Sequence, residues 1–467
     1  MWQNLAPELV FGIFGHFLPG LKLSVTEPAQ FPWYLGHICS RWRDVFISYP
    51  AFWSNFIIYL ELDYDIYGEP RTIHEPDVTR ALAILNACLP RGGYGPLSFK
   101  LVLYSYDLCY SSDQSSKSRC GLQVLELLVG QSSRWHDAHI ELCESGLPVL
   151  YMVKDKLPML RSVRVNIWSC GAVSMRTPSS IYIDLFEDAS QLKCLHAGVF
   201  TWKVDWSALT VVHLRYPYRV SMHLEALSRC SRLEELNIYG RFRMHLDPIP
   251  VALPFLKILR TGSERALQLF QMPMLQELCI KRISDLRRPD GTSFPDTISS
   301  CLPSLLHLTK LTLCTNRTGD VELILQYMPA VSDLRLYICE PIIVTSEHRT
   351  EKCLRVSGTS FLKLLTESPK PQYLKTLTVG LLRCDENYLA DITTWIKRKS
   401  LPDSVHRFDE LEHLSLVFDA WDDTHFFCVV RQHLEAEGIQ NSIRKINNED
   451  DNIVFDFFTN WDELWDA

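Results

Sequence analysis

A short apolar template, L-x-x-L-x-L, returns ten times between residues 157 and 416 and constrains the fold more than any other feature. Most copies end in apolar–polar–apolar alternation, which predicts a short strand with one buried face. The copies read LPMLRSVRV, ASQLKCLHA, WSALTVVHL, CSRLEELNI, LPFLKIL, MPMLQELCI, LLHLTKLTL, MPAVSDLRL, PQYLKTLTV and FDELEHLSL. The predicted buried positions include Leu160, Val163, Val165, Leu233, Leu236, Ile238, Leu275, Leu278, Ile280, Leu308, Leu311, Leu313, Leu411, Leu414 and Leu416.

Helical patterns precede several of these strands. In GDVELILQYMPAVSDLRLYI, Asp320 stands where an N-cap belongs, and Thr359 or Ser360 has that place before the strand in PQYLKTLTV. A helix–strand unit of this size cannot bury its own apolar face, so successive units must stack. We therefore predict an α/β fold in which residues 56–445 form an irregular leucine-rich-repeat-like solenoid, with short parallel strands on the concave side and helices on the convex side. The serine-rich stretch from Tyr104 to Cys120 is predicted to be a loop excursion.

Composition narrows the class of protein. The net charge of −8 argues against a general nucleic-acid binder, and no apolar run of about 18 residues predicts a membrane span. The fifteen cysteines include no C-x-x-C pair, a usage that indicates small buried thiols in a reducing compartment. The start of the chain lacks the basic region of a secretory signal. We expect a cytoplasmic or nuclear location and no nucleic-acid or membrane partner.

The first 55 residues are patterned as short helices. In LAPELVFGIFGHFLP, Pro7 suits a first helical position and Glu8 favours the helix dipole, while the apolar side comprises Leu9, Ile13, Phe14 and Phe17. In LGHICSRWRDVFISYPAFW, helical spacing places Leu35, Ile38, Trp42, Val45 and Phe46 on one face. These segments carry too many large apolar groups to hide among themselves, so we expect them to dock on the solenoid or on another protein.

Together these two segments resemble an F-box, in the form found in fungal proteins with C-terminal leucine-rich repeats. The family's Leu-Pro-x-Glu-[Leu/Ile] opening matches LAPEL at residues 5–9, with Ala6 in place of the first proline. Its Val-Cys-[Arg/Lys]-x-Trp-[Arg/Lys] core matches ICSRWR at residues 38–43, and its late Pro-x-x-Trp matches PAFW at residues 50–53. The resemblance implies an adaptor-binding surface made of Leu5, Pro7, Glu8, Leu9, Ile13, Phe14, Leu35, Ile38, Cys39 and Trp42. Trp53 is interpreted as a core residue that joins the F-box to the solenoid.

By this resemblance the protein is the substrate-recognition subunit of an SCF-type E3 ubiquitin ligase. Its F-box, residues 1–55, would bind a Skp-type adaptor and through it a cullin–RING ligase, while the solenoid would hold an unknown protein substrate for ubiquitin-dependent degradation. Such a receptor acts by positioning and is not an enzyme. The alternative is a leucine-rich scaffold with a degenerate F-box that binds proteins without a ligase, and a third reading is an enzyme with an unrecognised site.

The sequence holds no established catalytic or cofactor motif. We find no GxxxxGK[ST] phosphate loop, GxSxG elbow or HExxH zinc helix, so no cofactor, metal ligand or catalytic residue is assigned. His136 and His139 fall where we predict a strand, which would separate them onto opposite faces. The acidic, aromatic C-terminus, residues 446–467, is interpreted as a cap for the solenoid or as a docking peptide for a basic partner.

Overall fold

The computed structural model describes fourteen stretches of the chain. They are residues 5–17, 23–24, 36–60, 75–103, 116–168, 182–198, 201–215, 220–239, 250–262, 266–280, 305–315, 330–338, 374–381 and 413–418. The chain divides into two compact units, Met1–Leu233 (unit 1) and Glu234–Ala467 (unit 2). Both units combine helices with parallel strands, so the expected α/β class is confirmed.

Unit 1 opens with helices and continues as a parallel sheet. Its described helices are α1 (Pro7–Phe17), α2 (Ser40–Ser48), α3 (Glu75–Cys88), α4 (Ser116–Val129), α5 (Leu147–Leu150) and α6 (Val220–Leu227). Its described strands are β1 (Leu23–Ser24), β2 (Asn55–Leu60), β3 (Leu97–Leu103), β4 (Trp135–Cys143), β5 (Ser162–Trp168), β6 (Tyr182–Ile183), β7 (Cys194–Ala197), β8 (Thr201–Trp202) and β9 (Val211–Arg215). The sheet order is β1-β2-β3-β4-β5-β7-β9, and β6 pairs with β8 separately.

In unit 2, as in unit 1, the strands of the main sheet lie side by side in the order in which they occur along the chain. Its described strands are β10 (Glu235–Tyr239), β11 (Val251–Ala252), β12 (Ile258–Thr261), β13 (Phe270–Gln271), β14 (Glu277–Ile280), β15 (Lys310–Thr315), β16 (Asp333–Ile338), β17 (Thr376–Leu381) and β18 (His413–Phe418), with one short helix, α7 (Ala266–Leu269). The sheet order is β10-β12-β14-β15-β16-β17-β18, with parallel pairing throughout. β11 pairs with β13 separately.

Each of the ten template copies holds one strand of these parallel sheets, so the strand prediction is confirmed. All twelve predicted buried positions from Leu160 to Leu313 are at most 1% exposed. The side chains of Leu411, Leu414 and Leu416 lie outside the described residues. Because alternate strand residues point to opposite faces, the aliphatic residues form one buried face and leave a polar face, here called the open strand face.

Helices α3 and α4 precede β3 and β4, in the same helix–strand order that the sequence predicts for β16 and β17. In α3 the buried residues Val78, Ala81 and Leu85 recur at helical spacing, and α3 contacts both α4 and β2. The loop prediction for the stretch from Tyr104 to Cys120 is wrong over its last five residues, because α4 begins at Ser116. The helical periodicity that ends in the buried Val124 and Leu128 extends backward into the serine-rich sequence.

Several predictions fall on residues that the structure does not describe. They are the helices before β16 and β17, including Asp320, Thr359 and Ser360, and the C-terminal region 446–467. Within the described stretches, no helix combines the length and apolarity needed to cross a bilayer.

Candidate functional site

Helices α1 and α2 pack through an aromatic cluster. We call residues 5–17 and 36–54 the helical pair. The Phe14 ring lies edge-to-face against three rings, with centroid distances of 5.4 Å to Trp42, 5.1 Å to Phe52 and 6.4 Å to Phe46. Such edge contacts between aromatic rings add roughly 0.5–1.5 kcal/mol each to the gain from burial. The cluster therefore gives two short helices a core that neither could form alone.

Trp53 connects the helical pair to the rest of unit 1. Its ring is 1% exposed and lies 4.8 Å from the Phe46 ring, and its indole Nε1 donates to the Ile47 carbonyl at 3.1 Å. The Arg91 guanidinium, in the turn that leads to β3, stacks 5.0 Å above the Trp53 ring. The interpretation of Trp53 as a core residue is confirmed.

The predicted apolar stripe on the second helix is wrong at its start. Cys39 is the N-cap, with extended backbone (φ −162°, ψ 169°), so α2 begins only at Ser40. Arg43 Nε donates to the Gly36 carbonyl at 2.8 Å and ties the preceding turn to the helix. Ile38 therefore lies outside the helical phase that buries Trp42, and its side chain is 46% exposed.

The first helix also buries a different side from the one predicted. Val10 and Phe14 are fully buried, Ile13 is half-buried and Leu9 is 57% exposed. The side chain of Phe17 lies outside the described residues. Helical spacing alone could not predict which side of α1 is buried, because α1 carries apolar residues around most of its circumference.

The predicted adaptor-binding residues fall into three groups by their exposure. The structure places Glu8, Leu9 and Ile38 as exposed, Leu5, Pro7, Ile13 and Cys39 as half-buried, and Phe14 and Trp42 as buried; Leu35 lies outside the described residues. Ile47, 40% exposed on α2, is an additional outward apolar residue that sequence reasoning missed. We call Leu9, Ile38 and Ile47 the outer apolar set.

The helical pair also exposes charged side chains. Arg41, Arg43 and Asp44 are exposed on α2, and Glu8 is exposed on α1. Inside the pair, the indole Nε1 of Trp42 is buried and has no hydrogen-bond partner within the described part of the chain. An unmade hydrogen bond of this kind costs about 1–3 kcal/mol. The pair therefore exposes both apolar and charged side chains.

His136 and His139 both lie on β4, in the strand that the sequence predicts. His136 Nδ1 is 2.7 Å from Asp137 Oδ2, and His139 Nε2 is 2.8 Å from Glu141 Oε1. Each histidine thus has its own carboxylate neighbour. Among the residues that the structure describes, no three His, Cys, Asp or Glu side chains are grouped so as to hold a metal ion.

No protein-family model matches this chain, and no curated protein matches it significantly.

Proposed function

We propose that the protein is the substrate-recognition subunit of an SCF-type ubiquitin ligase. In this proposal the helical pair is an F-box that docks onto a Skp-type adaptor, and the strand arrays that follow hold the protein substrate. The contribution of the protein is positional, because it keeps a substrate lysine near the ligase's charged E2 and supplies no catalytic group of its own.

The observation that carries the proposal is the exposure of large apolar residues around a complete aromatic core. Phe14, Phe46 and Phe52 already fill the interior of the pair, yet Leu9 remains 57% exposed, Ile38 46% and Ile47 40%. Fully burying a leucine or isoleucine side chain contributes about 1.5–3 kcal/mol. Outward apolar anchors surrounded by charges are the usual composition of a helix-packing interface.

The regular strand succession supports the substrate-holding part of the proposal. Leucine-rich-repeat-like solenoids, with strands on the concave side and helices on the convex side, place neighbours in chain order and pair them parallel. Unit 1 and unit 2 each follow this order over seven described strands. We propose that each unit is an array of this type, whose open strand face is available to a partner.

One observation favours the ligase-independent scaffold as the second candidate. Phe14 and Trp42, which the F-box resemblance assigns to the adaptor, are 0% and 7% exposed and are packed against each other. If the adaptor needed both side chains, the pair would have to open at a cost comparable to its own packing energy. The two candidates differ in whether the adaptor binds while these two rings stay buried. Such binding supports the ligase subunit, and its absence supports the scaffold.

The test is co-purification of the full chain with a Skp-type adaptor. The informative variant is the double substitution Leu9→Glu, Ile38→Glu, which places charges in the proposed interface without touching the aromatic core. The matched control is Leu306→Glu, since Leu306 is 69% exposed and lies in unit 2. The proposal predicts that the wild type and the control bind adaptor in a one-to-one ratio and that the double variant does not. A folded wild-type chain that binds no adaptor would leave the scaffold as the function.

A further inference from the structure

The open strand face of unit 1 carries a row of basic and imidazole side chains, one from each of five neighbouring strands. These residues occupy directly paired positions on β3, β4, β5, β7 and β9, so each lies beside the next across the sheet. All five are half-buried. We call this set the basic row: Lys100, His139, Arg164, His196 and His213. Strands are about 4.8 Å apart, so the row extends over roughly 19 Å.

In the middle of the basic row, a hydrogen bond from Arg164 determines the tautomer of His196. Arg164 Nε donates to His196 Nδ1 at 3.2 Å, so Nδ1 accepts and the imidazole proton lies on Nε2. That Nε2 is 3.2 Å from the Cys194 sulfur, and the His196 and His213 ring centroids are 3.8 Å apart. His196 is therefore neutral in this arrangement. Protonation of His196 Nδ1 would break the hydrogen bond from Arg164 Nε. Arg164 Nε and His196 Nδ1 would then both be donors, and an anion that enters between them could accept from both.

Two carboxylates lie beside the basic row on β4. Asp137 accepts from Ser98 Oγ at 2.9 Å and lies beside His136, while Glu141 lies beside His139. Lys100 and Arg164 balance these two carboxylates when the histidines are neutral. Protonation of His139, His196 and His213 then makes the described face positive, so its charge is controlled by imidazoles.

The corresponding face of unit 2 is balanced by permanent charges. Arg260 pairs with Glu235 and, at 3.1 Å, with Glu277, and Lys310 Nζ lies 3.1 Å from the same Glu277. Arg335 and Asp333 form a further pair at 3.3 Å. These six described residues sum to no net charge at any pH between 5 and 8. The described face of unit 1 can therefore become positive and attract an anion, whereas the six described charges of unit 2 cancel one another.

An unsatisfied polar group lies next to the basic row. Asn166 follows Arg164 by two residues on β5, which puts both side chains on the same face. Its side chain is 8% exposed, and its amide Nδ2 has no hydrogen-bond partner among the described residues. A buried amide N–H group without an acceptor costs about as much as a lost hydrogen bond, and an anionic oxygen is the acceptor that would satisfy it.

We propose that the basic row of unit 1 binds an acidic peptide segment, rich in aspartate and glutamate, and holds it more tightly as the pH falls from 7.5 to 6. A run of carboxylates suits the row because the positive groups are spread over five strands, whereas a single phosphate would reach only one or two. The inference rests on the proposed function, since this segment would belong to the substrate.

Binding of carboxylates and protonation of the histidines reinforce each other. Burial is the largest cause that lowers the pKa of His139, and the positive charges of Arg164 and Lys100 lower it further, against the opposing influence of Glu141. A carboxylate placed over the row offsets the two positive charges and raises that pKa. By linkage, the complex takes up protons and its affinity rises toward acid pH.

The experiment is a fluorescence-anisotropy titration of the full chain with a labelled octaglutamate peptide at pH 7.5 and 6.0. Glutamate stays ionised over this range, so a change in affinity reports on the protein. We expect binding to be about tenfold tighter at pH 6.0, as one additional ion pair would give. Arg164→Gln should weaken binding about tenfold, and His213→Gln should reduce the pH dependence. Arg335→Gln, the same change on the balanced face of unit 2, should bind as the wild type does.

Three results would overturn the inference. They are no binding of octaglutamate at either pH, equal loss in Arg164→Gln and Arg335→Gln, and tighter binding of an otherwise neutral peptide that carries one phosphoserine. The titration contains no adaptor, so its failure is distinct from failure of adaptor binding. Circular dichroism of each variant confirms that the chain is folded.

Discussion

The helical pair and the strand arrays bury their apolar residues in different ways. In the pair, a few large rings (Phe14, Phe46, Phe52 and Trp53) supply the interior, and each touches at least one other. In the arrays, strands such as β5, β10 and β15 each add two or three aliphatic side chains to a ladder that repeats along the sheet. The stability of the pair therefore depends on a few large side chains, whereas in the arrays the stabilisation from burial is spread over many small ones.

The largest expected effect follows from removing the ring at the centre of the pair. Phe14→Ala should lower the free energy of unfolding by about 3–5 kcal/mol, because a fully buried ring leaves a cavity. Urea unfolding followed by tryptophan fluorescence measures the loss. The control is Phe11→Ala, since Phe11 is only half-buried and contacts a single ring, that of Tyr49, at a centroid distance of 5.0 Å among the described residues. Equal losses in the two variants would contradict the central position of Phe14.

A single leucine of the ladder should matter somewhat less. Leu278 is 0% exposed and lies in register with Leu259 and Leu311 on the neighbouring strands. Leu278→Ala should cost about 3 kcal/mol in unfolding free energy, within the range for buried leucines. Leu306→Ala, at a side chain that is 69% exposed, should change stability by less than about 0.5 kcal/mol. A cost below about 1 kcal/mol at Leu278 would show that the ladder relaxes around the cavity.

The packing at the junction between the two regions can be tested at Gly92. Gly12 in α1 is the control, because the same substitution there should change stability in the opposite direction. A Cβ at Gly92 would lie 2.6 Å from the Trp53 carbonyl oxygen and 2.8 Å from Arg134 Nη2. Gly92→Ala should destabilise the protein by about 1–3 kcal/mol. Gly12 in α1 has no atom within 4 Å of that position, so Gly12→Ala should stabilise the helix by about 0.5–1 kcal/mol. Thermal unfolding of both variants checks the signs, and destabilisation by Gly12→Ala would be inconsistent with an open position there.

The smallest effect is a pH dependence that arises in the arrays and not in the aromatic cluster. Burial lowers the pKa of His223 and is the largest cause that lowers the pKa of His139. A histidine whose folded pKa lies below its unfolded value contributes full stability above about pH 6.5, and this contribution is lost as the pH falls below that value. The free energy of unfolding should therefore decrease from pH 7 to pH 5, and His223→Leu should flatten the decrease. An unchanged pH profile in that variant would remove His223 from the explanation.

The sequence predicted the strands far better than it predicted which faces of α1 and α2 are buried. Period-two leucines mark β5 and each later strand of the two main sheets, because a strand's buried face depends only on alternation. The predicted buried helix face is wrong at Ile38, since the extended Cys39 interrupts the helical phase that the prediction assumes. It is also wrong at Leu9, because α1 is apolar around most of its surface and only its contact with α2 decides which side is buried. The short strand β1 carries no such pattern in its two residues.

Hydroxyl-radical footprinting of the full chain with and without a Skp-type adaptor tests whether the helical pair binds the adaptor, because it reports side-chain exposure residue by residue. We predict that Leu9, Ile38 and Ile47 lose reactivity when the adaptor binds. Phe255 and Leu306, which are 59% and 69% exposed in unit 2, should keep their reactivity. Unchanged reactivity of Leu9, Ile38 and Ile47 at saturating adaptor would contradict an adaptor-binding role for the helical pair.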